Sequence, residues 1–322
     1  MSQPAEFEAF RALSARLGQD PLRVQGPGGN TSIKDVGTMW IKASGTELAD
    51  AETKDIFVAV NREAAKAEAH GAGDGTCKAT VLDPAQTLRP SIETTFHAAL
   101  DWPIVAHTHS IATLTHGVSA KGRAAAAEKL AGLPFVSVPY AKPGLPLTEQ
   151  ILARVTPETQ IFILENHGLI ICGSTVAEVH DLTETVEDRL AMQPLAQMIE
   201  ADITHHPPEG FHWAEESWIA RDPRACALAE NGSYYPDHVV FLGPALPTRD
   251  SDANPPATLH PGNGIALRDD ATPSQRAMLR CLSDLLIRLP KDWVPEAIGH
   301  DAEADLLNWD AEKYRQALAA RT

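Results

Sequence analysis

The stretch PIVAHTHSIATLTHG, Pro103 to Gly117, decides how this chain is read. Its apolar run Ile104-Val105-Ala106 predicts a strand, and His107 and His109 straddle Thr108 at the strand's end. Residues i and i+2 of a strand share a face. The two imidazoles therefore stand side by side, while Ala106 and Thr108 face the other way. Such a pair can converge on one cation, or it can be two hydrogen-bonded histidines closing a strand. The pair alone leaves both readings open. His116, in the same stretch, is read as structural.

A third histidine shifts the balance. TQIFILENHGLIICG predicts a strand, a turn and a second strand, with His167 in the turn. Three histidines at strand ends, with an acid nearby, have the general shape of a catalytic zinc site: three protein ligands and one open position. Glu93 supplies the acid. It lies near the start of the helix predicted for SIETTFHAALD, with Ser91 as its N-cap. A helix-start glutamate can answer the helix dipole or act as a general acid/base; local sequence alone favours the first. His97, one helical turn later, is read as structural, although its spacing could let it orient Glu93.

Outward from this centre, helical spacing runs over residues 5–18, and GPGGNTS (Gly26–Ser32) reads as a glycine-rich turn. TMWIKASG, DIFVAV and LPFVSVPY predict strands. Residues 61–88 are polar and Gly/Ala-rich and are expected mostly at the surface. Thr175–Glu200 predicts one long amphipathic helix. Strands interleaved with helices and hairpins indicate an α/β class with a mixed sheet. The composition changes near residue 204. Residues 1–204 are therefore expected to form the main domain and 205–322 a smaller α/β extension. That extension is expected to hold a strand at HVVFLG, a helix near 273–289 and a last helix near 302–320.

Bulk properties narrow the function. The 322 residues carry a formal charge of −16, which argues against general binding to nucleic acid or anionic membranes. No apolar run approaches a bilayer span. The opening MSQPAEFEAF has neither a basic nor an apolar leader region, so a cytoplasmic protein is expected. The cysteines, Cys77, Cys172, Cys226 and Cys281, are scattered and form no CxxC pair, as reduced thiols would be. Neither a P-loop nor a strand-GxGxxG-helix unit is present. The turn Gly28-Gly29 and the donors that follow it can instead form an anion-binding concavity.

Taken together, Gly29-Asn30-Thr31-Ser32, Ser44-Gly45, Ser91-Ile92-Glu93, His107-Thr108-His109 and Asn166-His167-Gly168 resemble the class II aldolase/adducin family over roughly residues 5–200. PSIETTFHA and YYPDHVVFLGP resemble, more narrowly, the aldolase part of bifunctional rhamnulose-1-phosphate aldolase/short-chain dehydrogenase-like proteins, and no dehydrogenase domain is expected within these residues. The resemblance implies a three-layer α/β/α fold with a central mixed, mainly antiparallel sheet. It implies Zn2+, or another divalent ion, on His107, His109 and His167, with Glu93 as catalytic acid/base. Gly29, Asn30, Thr31, Ser32, Ser44, Gly45 and Ser91 match the family's substrate-phosphate pocket. A homotetramer with active sites between subunits is implied as well.

The activity implied is a zinc-dependent lyase that cleaves a ketose or ketose phosphate through a metal-stabilised enediolate. Relatives of the same fold act as 4-epimerases, decarboxylases or dehydratases. A non-catalytic, adducin-like scaffold is the alternative from another class, and the intact histidine set argues against it. Two positions depart from the pattern. Ile92 stands where the sugar-phosphate aldolases carry a second serine, a loss that the charge of Lys42 could offset. The family's tyrosine, used for proton transfer at the departing aldehyde, has no equivalent between His109 and Val138; Tyr140, Tyr234 and Tyr235 are the candidates.

Overall fold

Asn30 to Asp35 form the strand (β1) from which the sheet is best followed. The computed structural model describes residues 3–195, 205–248 and 255–320. β2 (Thr38–Lys42) and β3 (Phe57–Asn61) extend the sheet on one side of β1. β4 (Ile104–Thr108), β7 (Gly168–Gly173), β6 (Ile161–Leu164) and β5 (Phe135–Val138) extend it on the other. The strand order is β3-β2-β1-β4-β7-β6-β5. Every neighbouring pair is antiparallel except β5 and β6, so the sheet is mixed and mainly antiparallel, as expected.

Helices cover both faces. On one side, α1 (Phe7–Gln19), α5 (Ala120–Lys129) and α7 (Val176–Leu190) bury Phe10, Leu17, Leu130 and Val186 against Ile104, Ala106, Ile163 and Ile171. On the other, α3 (Thr94–Ala99) and α6 (Leu145–Leu152) bury Phe96, Leu147 and Ile151 against Val105, Phe162 and Ile170. The alternation of Ile104 and Ala106 against Val105 is the strand's period of two, and it sends His107 to the α3 side. There the His107 ring meets Phe96 edge-on at 6.0 Å. α4 (Ile111–Gly117) begins at once after His109, because Ser110 Oγ accepts from the Thr113 N–H at 3.1 Å and caps it.

Several sequence expectations are corrected. Asn30-Thr31-Ser32 are the start of β1 and not turn residues, since the glycine turn ends at Gly29. Residues 61–88 do lie mostly at the surface, as expected, but they also cover one side of the sheet. α2 (Arg62–Ala69) buries Ala65, and with Cys77 it covers Met39, Ile41, Val58 and Val60. α3 is capped at Glu93 rather than at Ser91; Ser91 Oγ accepts from the Glu93 N–H at 3.2 Å instead. The long helix ends at Leu190, and Pro194 disfavours helical backbone in the residue before it. Its expected continuation over 196–200, and the boundary expected at 204, lie outside the described residues.

The C-terminal region shares a core with α4. β8 (Phe211–Trp213), β9 (Ala257–His260) and β10 (Gly264–Arg268) form a small sheet in the order β8-β10-β9, which the sequence reading missed. Around it lie α8 (Trp218–Arg221), α9 (Pro223–Asn231), α10 (Pro236–Leu242), α11 (Pro273–Arg288), α12 (His300–Leu307) and α13 (Asp310–Ala319). HVVFLG is therefore helical, not a strand. Pro236 opens α10, and Val239, Val240, Phe241 and Leu242 are all buried, so the helix has no polar face to reveal its period. The last predicted helix is two, broken at Asn308 and Trp309. Ile111, Leu114 and Val118 of α4 enter one hydrophobic cluster with Trp218, Phe241, Leu279 and Leu282. Among the described residues, no helix is long and apolar enough to cross a membrane. All four cysteines are free and buried.

Candidate metal centre and active site

Strand register brings the centre together. Asn30 of β1 is paired with His107 of β4, and His107 with Ile170 of β7. The β6–β7 turn returns His167 to the end of β4. Gly168 is required at that turn, because a Cβ there would lie 2.2 Å from the Thr108 carbonyl oxygen. His107, His109 and His167 are buried, and one ligand-capable atom from each lies within 4.8 Å of the others. His107 Nδ1 donates to the Leu169 carbonyl at 3.0 Å, which leaves its Nε2 as a lone pair facing the other two rings.

Glu93 faces this cluster from the start of α3. Its Oε2 lies 3.5 Å from His107 Nε2 and its Oε1 lies 3.6 Å from His167 Nε2. His107 Nε2 and Glu93 Oε1 are buried without a hydrogen-bond partner among the described residues. Buried polar atoms are seldom left so, and a cation would engage the free lone pair of His107. Burial pushes His109 and His167 down to about 3, so both are neutral imidazoles with a lone pair to offer. The donor set fits a divalent ion of the kind that imidazole and carboxylate bind.

A hydrogen-bonded chain sets the glutamate. Ser32 Oγ donates to His97 Nδ1 at 2.8 Å, His97 Nε2 donates to Asn30 Oδ1, and Asn30 Nδ2 donates to Glu93 Oε2 at 2.8 Å. Donors and acceptors match for one tautomer of a neutral His97, and burial holds that ring well below the usual histidine range. His97 therefore reaches Glu93 through Asn30 rather than directly.

The other expected residues divide. Gly29, Asn30, Ser44, Gly45 and Ser91 line one small cavity with Glu93, His109 and His167. Thr31 does not join them; it points to the opposite face and bonds Ser14 at 2.7 Å. Ser32 lies behind His97 and not in the cavity wall. Lys42 lines the cavity, donates to the Pro27 carbonyl at 3.0 Å, and is pushed down to about 7 by burial and then by Arg315. Tyr234 and Tyr235 donate to the Leu228 and Met278 carbonyls, and neither lines the cavity. Tyr140 is not in that wall either, although its hydroxyl is buried without a partner among the described residues. His116 is held by the Ala112 carbonyl and Lys129, away from the cluster.

Two residues of the cavity come from beyond residue 204 and escaped the sequence reading. Asp237, on α10, sets Oδ2 3.6 Å from His109 Nδ1. Arg315, on α13, grips Asp237 with two hydrogen bonds of 2.8 and 3.0 Å and also reaches Glu312 at 2.9 Å. Burial would raise Asp237, but Arg315 and then His109 hold it down at about 2. Its one sequence signal is an acid set within the otherwise apolar YYPDHVVFLG. Asn166 ties the two parts of the chain together by donating to the Tyr234 and Glu296 carbonyls at 3.1 and 2.8 Å.

Residues 9–194 match the family described as the Class II Aldolase and Adducin N-terminal domain. The chain is 30% identical over 245 residues to the uncharacterized oxidoreductase YuxG of Bacillus subtilis, a stretch that is 70% of this chain and 34% of that protein. It thus spans about a third of that relative's length. A shorter stretch of 51 residues, 16% of this chain and 24% of the relative, is 37% identical to a 3-oxo-tetronate 4-phosphate decarboxylase of Escherichia coli. The N-terminal class II aldolase domain of a conserved protein from Thermoplasma acidophilum superposes with a TM-score of 0.52 at 26% identity, covering 59% of this chain and 94% of that one. With the expected sheet and the histidine cluster in place, the chain belongs to the class II aldolase and adducin family.

Proposed function

We propose that the chain is a metal-dependent lyase that breaks a carbon–carbon bond next to the carbonyl of a ketose or ketose phosphate. The observation that carries this reading is Glu93 Oε1, buried and unbonded, 3.6 Å from His167 and beside the free Nε2 of His107. His107, His109 and His167 would hold the cation, zinc being the expected one. When bound, a divalent ion supplies a Lewis acid for the carbonyl and for the charge left when the bond breaks.

The chain's own residues do the rest. Asn30 occupies Glu93 Oε2, so Oε1 is the oxygen free to take or return the proton of the reacting carbon. His97 and Ser32 keep the Asn30 amide turned that way. The apolar and hydrogen-bonded walls around the glutamate exclude bulk water. Gly45 lies under Leu318 of α13, and a Cβ there would come within 2.4 Å of Leu318 Cδ1.

A second reading keeps the site and changes the leaving group. Retro-aldol cleavage must remove a proton from the hydroxyl that becomes the aldehyde, and among the described residues no tyrosine lines the inner cavity to do so. Decarboxylation of an oxo-acid expels CO2 and needs no such group. The partial likeness to a decarboxylase supports the same alternative. An oligomer, with a tetramer expected, accompanies either reading, and solution mass measures it.

The test combines metal analysis with product analysis. His107→Ala and His167→Ala should lose bound metal, while Glu93→Gln should keep it and lose turnover by about 10²–10⁴-fold. A panel of ketose phosphates and phosphorylated oxo-acids then separates aldehyde release from CO2 release. Unchanged stoichiometric metal in both histidine variants would falsify the ligand assignment.

A further inference from the structure

The inner cavity shares a wall with a larger chamber. Ser44, Ile92 and Pro143 line both. The inner volume is about 20 Å3 and the outer about 530 Å3. The smaller void has room for one water or one ion and not for a phosphate or carboxylate group.

Several inner polar groups are tied to one another. Asn30 Nδ2 bonds Ser91 and Glu93, and its Oδ1 accepts from His97. Ser91 Oγ accepts from both Asn30 and the Glu93 N–H. Thr31 and Ser32 bond Ser14 and His97. Ile92 brings no donor at all.

The outer chamber is furnished differently. Arg89, Lys78 and Lys142 line it. The Arg89 guanidinium stands 3.9 Å from the centre of the Tyr314 ring, and the Lys142 ammonium 4.8 Å from that of Trp309. Stacking on a ring face steadies a cation while leaving its N–H groups free. Among the described residues, no carboxylate pairs with any of the three. The chamber's two acids are engaged elsewhere: Asp74 accepts from the Thr76 N–H and Oγ1, and Asp310 faces Lys313 at 3.5 Å. Three cations lining one chamber, with Asp74 acting only on Lys78, make it locally basic in a chain of net charge −16.

We propose that this chamber is an oxyanion-binding subsite for the phosphate or carboxylate end of a ligand whose other end reaches Glu93. Arg89 supplies a planar fork of donors, Lys142 and Lys78 supply charge, and Trp309 and Tyr314 form the wall. The chamber is walled partly by α13 and the residue before it. The link to Glu93 rests on the inner centre being the active site; the anion site itself does not.

The test is calorimetric titration of the metal-loaded chain with inorganic phosphate and, separately, with acetate. The double variant Arg89→Ala, Lys142→Ala should bind the preferred anion about tenfold or more weakly, as expected for lost charge-assisted hydrogen bonds. Ser91→Ala should change binding less than about twofold, since Ser91 lines the inner cavity and not the chamber. Arg89→Lys should fall between wild type and the double variant, because it keeps charge and loses the fork. Stronger phosphate binding marks a phosphorylated ligand and stronger acetate binding a sugar acid; either supports the subsite. Absence of saturable binding of both anions, or loss on Ser91→Ala with the double variant unaffected, overturns it. Metal retention and turnover in the Glu93 and histidine variants report on the inner centre independently, so the two readings fail separately.

Discussion

Asp237 Oδ2 lies 3.6 Å from Nδ1 of His109, although α10 and β4 are separated by more than half of the family domain's length. A carboxylate beside a ligand imidazole orients the ring and makes its other nitrogen a better donor to a metal. The C-terminal region therefore sets a carboxylate beside the candidate metal centre.

Asp237→Asn should weaken metal affinity by about 10–100-fold, the usual effect of losing such a partner. Competition with a chelator of known affinity measures it. Arg315 would keep Glu312 and lose its paired grip on Asp237, so a fall in stability of about 1–3 kcal/mol should accompany the change. Unchanged metal affinity would remove Asp237 from the centre.

His97→Ala should lower kcat about tenfold with little change in KM or bound metal, as for a positioning residue in general acid/base chemistry. The alanine leaves Asn30 Oδ1 without its donor, so the amide is free to turn away from Glu93. His97→Gln, which can restore a donor near Nε2, should recover part of the rate. A purely structural His97 would shift thermal stability and leave the split between kcat and KM untouched.

Gly168→Ala places a Cβ 2.2 Å from the Thr108 carbonyl and 3.1 Å from His109 Cα. The β4–β7 register must yield, at a cost of about 1–3 kcal/mol or more. Because His167 precedes this residue and His109 faces it, metal should be lost together with stability. Full metal content at wild-type melting temperature would contradict this account of the turn.

Glu187, on α7, is buried enough to be pushed up to about 7, against the stabilising influence of Ser110 and Arg23 on its charged form. Its folded value lies above its unfolded one, so the folded state holds the proton longer. Stability from this group is fully present below the unfolded value near 4.5 and declines as pH rises toward 7. Glu187→Gln should remove that decline and stabilise the protein above pH 7 by about 1–3 kcal/mol. Denaturant midpoints of the two proteins across pH 4 to 8 make the comparison; parallel curves would show that Glu187 is not so perturbed.

Much of the central sheet was legible because its strands are short apolar runs bounded by turn residues. Ile104, Val105, Ala106 and His107 announce both their conformation and which of them share a face. The three candidate ligand histidines were legible because each lies next to a strand end. HVVFLG was misread because a helix buried on every side has lost the polar stripe that marks its period. The start of β1 was misread because Asn30, Thr31 and Ser32 are polar and follow glycines, yet all three are buried by side-chain bonds to distant residues.

By itself, then, the sequence determined the sheet class, the three histidines and the candidate acid. These follow from local period and from an ordered set of residue types. Only the tertiary structure decided which polar side chains share the cavity. It turned Thr31 to Ser14, set Ser32 behind His97, and brought Asp237 and Arg315 over the histidines. The physical reason is that burial leaves each polar group to find a partner in space, and partners such as Asp237 and His109 carry no mark of one another along the chain.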